Sequence, residues 1–312
     1  MTEPEIILHH YPRSPFAEKI RTAFGIKGLR WRSVVQPRMA PKPDLTALTG
    51  GYRRIPVMQI GADIFCDTRC ILRELEHRFP RPSLYPAGTA GLADLIAAWA
   101  DRDLFAASLG LVFGLHGDRF PPELHADRAR FTAGRFDGWN SAKMRTRIFD
   151  LRQQLALQCG WIEQTLSHDN GFLLGDAPSA ADLAVYHPLW YLQGNLETDS
   201  GLDGYPRMRT WMTRMDAIGH STVEELAPED ALTIARDAAP AAIPRQNIDA
   251  ANPWQPGRRV TVTPDDWGFD PVEGEVAWIG TDTIALRRND PAVGAVTVHF
   301  SLRGFEIKAA AT

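Results

Sequence analysis

The sequence predicts an α+β protein in three parts: a mixed unit over residues 1–84, an all-helical unit over 89–235 and, past a linker at 236–256, a small all-β unit over 257–312. Three patterns carry this. Short apolar runs alternate with helical periodicity as far as Phe79, Ala- and Leu-rich helical patterns follow from about Thr89, and runs of β-formers cut by Gly, Pro and Asp close the chain.

Glu5 to His9, with Ile-Ile-Leu at its centre, reads as a buried strand, and Pro12 and Pro15 end it because a proline restricts the residue before it. A helix begins at about Pro15, a tolerated first-turn position, with Phe16, Ile20, Ala23 and Phe24 on one face. Trp31 to Val35 is a second strand, giving a right-handed β-α-β unit. Pro37 to Gly51 reads as a loop.

The stretch Arg53 to Ile71 follows. Pro56 heads a strand, where a missing ladder donor is tolerated. The runs Val57 to Ile60 and Ile64 to Cys66 flank Gly61-Ala62-Asp63 as a hairpin. Asp67-Thr68 then opens a helix with Ile71, Leu72, Leu75 and Phe79 at helical spacing. An acid and a hydroxyl there cap the helix, and its unpaired N–H groups also suit an anion.

Leu92 to Leu115 predicts a long, largely buried helix or two. Gly117 to Thr146, broken by Pro121-Pro122, Gly134 and Gly138, predicts short helices or a lid. Ile148 to Leu166 resumes a helix with Leu151, Leu155, Cys159, Ile162 and Leu166 inward. Ser179, with Asp182 three residues on, starts the next as a shortened capping box, and Tyr205 to Met215 reads as one more. Alanines and prolines over Ala235 to Pro256 suggest a linker. The runs beginning at Arg259, Gly274, Thr283, Ala295 and Phe305 then predict five short strands, a small barrel that is SH3-like in size.

Composition narrows the function. A net charge of -4 and a pI near 6.1 give no overall basic field, so no nucleic-acid partner is expected. The longest apolar run, Leu104 to Leu115, falls short of the ~18 residues a membrane span needs. With no signal-peptide pattern at Met1 to Glu5, a cytoplasmic protein with no membrane partner is expected. Cys66, Cys70 and Cys159 suit a reducing compartment, and the spacing of the first two is not a Cys-x-x-Cys pair, so inert buried thiols are expected. No Gly-x-Ser-x-Gly elbow and no His-Glu-x-x-His motif occurs, so neither a serine hydrolase nor a metal is predicted. His9 and His10, without an acidic partner at suggestive spacing, read as packing or surface residues.

Four features in order then resemble one family. Ser14-Pro-Phe-Ala-Glu-Lys-Ile-Arg21 is similar to the active-site helix start of many bacterial glutathione S-transferases, and Ile55-Pro56 is similar to their cis-proline. Asp67-Thr68 stands where they carry Glu or Asp before Ser or Thr, and Gly171 to Tyr186 looks like the signature of their helical domain. The resemblance spans roughly residues 5 to 220 and implies a thioredoxin-like N-terminal domain followed by the all-α domain of that superfamily. Ordinary members lack the C-terminal β unit.

The resemblance implies glutathione as co-substrate. Ile55, Pro56 and the Val57 backbone would pair with its cysteinyl unit as an added strand. Asp67 would take the γ-glutamyl amine, and Thr68 with the helix N-terminus its carboxylate. Lys42, Arg53 or Arg54 would take the glycyl carboxylate, Arg54 best matching the family. Ser14 would stabilise the thiolate, with Arg13 adding charge if it points inward, and Tyr11 is the rival hydroxyl because some classes use a tyrosine there. Serine in place of the cysteine of related classes argues against thiol transfer. Phe113, His116 and Trp190 are candidates for the second-substrate pocket, where a small electrophile would be conjugated or isomerised. A homodimer is expected from the same resemblance. The alternative is a non-catalytic scaffold of this fold, with its β unit as the interaction module.

Overall fold

The protein is described by a computed structural model covering residues 5–133, 140–166, 171–242 and 251–310. Strand β1 (Ile7–His10), buried throughout, leads through helix α1 (Pro15–Lys27) to the parallel strand β2 (Trp31–Val35). Ser14 caps α1 at its start, and Gly28 ends it in the left-handed conformation (φ 63°).

The segment predicted as loop contains a short helix, α2 (Pro43–Thr49). Pro43 begins it, Gly50 at φ 82° ends it, and Leu45 and Leu48, one turn apart, bury the inner face. Strands β3 (Val57–Ile60) and β4 (Asp63–Cys66) form the predicted antiparallel hairpin, and helix α3 (Thr68–Arg78) follows Asp67. The Ile55–Pro56 peptide bond is cis.

Helix α4 (Ala90–Trp99) runs through a π-helical turn, Ala100–Leu104, into α5 (Phe105–His116). Two short helices, α6 (Pro122–Thr132) and α7 (Ser141–Thr146), precede α8 (Ile148–Thr165), whose predicted inward residues are buried. Gly134 and Gly138 lie outside the described residues. Helix α9 (Ala180–Leu196) crosses the middle of the helical layer and α10 (Pro206–Ile218) packs beside it. The Ser179–Asp182 capping box forms. Asp182 accepts from the Ser179 amide and hydroxyl, and also from the Leu173 amide and Trp211 Nε1.

Beyond α10 the chain returns to the sheet. Strand β5 (Val223–Glu225) lies parallel beside β2, and α11 (Pro228–Asp237) packs on α2, β2 and a later strand. Its Ala231 joins a small cluster with Ile7 and Val34. The middle of the predicted linker, residues 243–250, lies outside the described residues.

The five predicted C-terminal strands are present: β6 (Arg259–Pro264), β7 (Val272–Ile279), β8 (Thr283–Asp290), β9 (Gly294–Ser301) and β10 (Phe305–Ala309). They do not form a separate unit. They continue the N-terminal sheet, because β9 pairs in parallel with β4, giving one ten-stranded order β10-β6-β7-β8-β9-β4-β3-β1-β2-β5. The core explains why. Val260, Val276, Leu286 and Phe300 share one apolar cluster with Leu45, Leu48, Tyr52 and Ile64, so the strand-rich region buries its inner face against the N-terminal unit. Among the described residues no helix is long and apolar enough to cross a membrane.

Candidate functional site

A cavity of about 580 Å³ opens where the ends of β1, β3 and β4 meet the helical layer. Three backbone devices point into it. At the first, the Tyr11–Ser14 turn delivers Ser14 to the N-cap of α1, where its Oγ accepts from the Ala17 amide at 3.2 Å. A hydroxyl has one proton and two lone pairs, so the Ser14 proton stays available to donate. Ser14 is only 2% exposed, yet it lines the cavity together with Tyr11 and Arg13. Arg13 is turned toward the Gly194 carbonyl and the Asn195 side chain.

The second device is Ile55 with cis-Pro56. Both line the cavity, and the Ile55 N–H and C=O make no backbone hydrogen bond among the described residues. An unpaired amide at the end of a strand is an edge that an extended ligand can extend. Val57 departs from expectation: it is fully buried within β3, opposite Cys66 and His9, and off the cavity wall, because the strand ladder on both sides already engages it.

The third device is the start of α3. Asp67 accepts from the Arg69 amide at 2.9 Å, and its backbone sits at φ 78°, unusual for a residue with a Cβ. Burial pushes its carboxyl above the ordinary value, with Arg54 pulling the other way. Thr68 is buried beside it and also lines the cavity.

The three basic candidates all reach the cavity but differ in state. Arg54 is engaged by the Asp266 carboxylate and the Trp267 carbonyl, both from the β6–β7 loop. Arg53 pairs with the buried Asp127 at 2.6 Å, which Arg128 also contacts at 2.8 Å. Lys42 is buried and makes no ion pair among the described residues, and burial, then Arg53 and Arg128, lowers its ammonium to about 8.

On the helical side Phe113 lines the cavity. His116 and Trp190 do not. His116 Nδ1 contacts the Asn195 carbonyl at 2.9 Å, and Trp190 faces a second cavity behind α1, with the Arg21 guanidinium 6.0 Å from its ring. Their surroundings explain this: His116, at the C-terminal end of α5, is held by a backbone carbonyl of α9, and Trp190 lies with Arg21, Met215 and His220 around the second cavity. His9 and His10 are buried in the sheet, bonded to Gln59 and Ser33.

Two further residues of the cavity, Lys19 and Asp101, and His187 behind them escaped sequence reasoning. Lys19 donates to both Asp101 oxygens at 2.9 and 2.8 Å, and His187 Nε2 lies 3.0 Å from Asp101 Oδ1. Burial alone would raise the Asp101 carboxyl, but Lys19 and then His187 hold it down at about 2, while burial keeps His187 neutral, at about 4. Only the π-helical turn and two distant helices bring these three together, so no local motif signals them. Among the described residues no cluster of His, Cys, Asp and Glu suits a metal ion.

Such a thioredoxin-like unit with a helical partner and this cleft between them defines the glutathione S-transferase architecture. Residues 8–83 match the family model of the glutathione S-transferase N-terminal domain and residues 97–214 that of its C-terminal domain, and the chain belongs to that superfamily. It is similar to a GST-like protein from Pseudomonas syringae, at 38% identity and a TM-score of 0.82, over 98% of this chain and 100% of that one. That match takes in the C-terminal strands. A glutathione S-transferase from Rhodospirillum rubrum shares the fold at 21% identity and TM-score 0.54, over 68% of this chain and 88% of its own. FzlA from C. crescentus does so at 21% identity and TM-score 0.53, over 75% and 93%. Comparison with curated proteins gives no match.

Proposed function

We propose that the cleft binds glutathione and activates its thiol for attack on a small electrophile, by conjugation or isomerisation. The observation that carries this reading is the convergence of Ser14, Ile55–Pro56 and Asp67–Thr68 on one cavity. The cysteinyl backbone pairs with the unpaired Ile55 amide, Asp67 takes the γ-glutamyl amine, and Thr68 with the α3 N-terminus holds the adjacent carboxylate. The glycyl carboxylate goes to Lys42, since Arg54 and Arg53 are already paired.

The chemistry centres on Ser14. A free thiol near pKa ~8.5 is only a few per cent ionised at neutral pH. A hydroxyl donating to the sulfur, with the dipole of α1 behind it, favours the thiolate. Tyr11 lines the same cavity and is the rival donor. A strand-rich region built into the sheet, with a loop in the cleft, favours the catalytic reading over a detachable interaction module.

Calorimetry should detect glutathione binding at millimolar concentration, and no binding there overturns the proposal. In Ser14→Ala the ultraviolet absorbance of bound thiolate should fall at least about threefold at neutral pH, the effect of raising the pKa of a half-ionised or more ionised thiol by one unit. If Tyr11→Phe causes that loss and Ser14→Ala does not, the tyrosine is the thiol's partner.

A further inference from the structure

The β6–β7 loop does not belong to the two domains that define the family, yet it enters the cleft. Asp266 and Trp267 of this loop line the cavity, as do Arg303 and Gly304 of the β9–β10 turn. The loop is tied down on both flanks. Towards the N-terminal unit, the Arg54 guanidinium donates to the Asp266 carboxylate and the Trp267 carbonyl. Towards the helical layer, the Gly268 amide donates to the Phe131 carbonyl at 2.7 Å, and Arg102 donates to Asp265 at 3.0 Å. Gly268 itself is demanded twice: its φ is +63°, and a Cβ there would meet the Phe131 ring at 2.4 Å. The clasp sets the Trp267 ring against Phe105, with centroids 5.7 Å apart, and edge-on to Phe131 at 6.5 Å.

We propose that this loop is the third wall of the cleft, with the aromatic corner of Trp267, Phe105 and Phe131 receiving a flat ring on the sulfur side of the substrate, and Asp266 acting as the positioning residue that holds Trp267 there through Arg54. The inference rests on the glutathione reading above. The geometry has two consequences. Arg54 serves the protein's own carboxylate, leaving Lys42 for the ligand's. Aromatic preference is supplied by the strand-rich region, because an indole face adds stacking that aliphatic walls do not.

The experiment uses thioethers that need no turnover. S-methylglutathione and S-benzylglutathione share the tripeptide and differ in the ring, and calorimetry on the full chain gives the affinity of each. Wild type should bind the benzyl ligand about tenfold more tightly, the size of one good aromatic contact. Trp267→Ala should erase that preference while S-methylglutathione binds as before, which also reports an intact fold. Trp267→Phe should keep most of the preference. Asp266→Asn should lower it, again without loss of S-methylglutathione. A preference unchanged in Trp267→Ala, or an equal loss of both ligands, overturns the inference. If wild type binds neither, the glutathione reading itself falls, and this inference with it.

Discussion

At the scale of single residues, Asp67 sets backbone strain against the role proposed for it. Its backbone at φ 78° carries about 1–3 kcal/mol of strain, and its half-buried carboxylate accepts a hydrogen bond from the Arg69 amide. Glycine adopts that conformation without a penalty and replaces an N-cap at a cost of only a few tenths. Asp67→Gly should therefore unfold in urea with a stability equal to or about 1 kcal/mol above wild type, while Asp67→Ala, keeping the strain and losing the cap, should lose about 1 kcal/mol. Both should lose glutathione affinity on the proposed reading. A glycine variant less stable than the alanine variant would show that the carboxylate's contacts outweigh the strain. Asp67 was legible in the sequence because an acid before a hydroxyl at a helix start is a local pattern. Lys19, Asp101 and His187 were not, because their partnership exists only after α1, the π-helical turn and α9 pack.

At the scale of elements, β1 shows what a central strand costs when it carries histidines. His9 and His10 are both buried, and His187 is buried in α9. Burial lowers His9 and His187 from 6.5 to about 4, and burial with the Arg21 charge lowers His10 to about 3. The folded pKa lies below the unfolded one, so between about 6.5 and 4 the unfolded chain binds more protons. The stability these groups confer is complete above pH 6.5 and is lost as pH falls toward their folded values. The urea midpoint should drop steadily from pH 7 to pH 5, by up to about 1.36 kcal/mol per unit for each group. His9→Gln should flatten that slope; an unaltered slope would assign it to other groups. The elements themselves were largely legible, since β1, α1, β2, the hairpin and α3 rest on local periodicity. Helix α2 was missed because two prolines and a glycine pair flank only two turns. Strand β5 was missed because its three residues are exposed and owe their conformation to the edge of β2.

At the scale of the whole molecule, the sequence supplied the five C-terminal strands but not their destination. Period-two alternation says that a strand has an inner face, and nothing local says which edge it joins. Here β9 joins β4 over Asp63 to Cys66, with His299 placed 2.9 Å from Asp63 and stacked on Phe65 at 4.5 Å. The strand-rich region is thus sheet and core at once. Removing residues 251–312 would bare the β4 edge, a template for pairing with other chains, and would strip the cover from Leu45, Leu48 and Ile64. The shortened chain should melt at lower temperature than the full one and elute as aggregates in size-exclusion chromatography. Asp63→Lys in that shortened chain replaces a short carboxylate by a long ammonium on the bared edge and should recover part of the monomer, since lysine at an edge opposes strand addition. A shortened chain that stays monodisperse with an unchanged melting temperature would mean that the remaining five strands, β1 to β5, suffice, and that the continuous sheet serves the cleft rather than the fold.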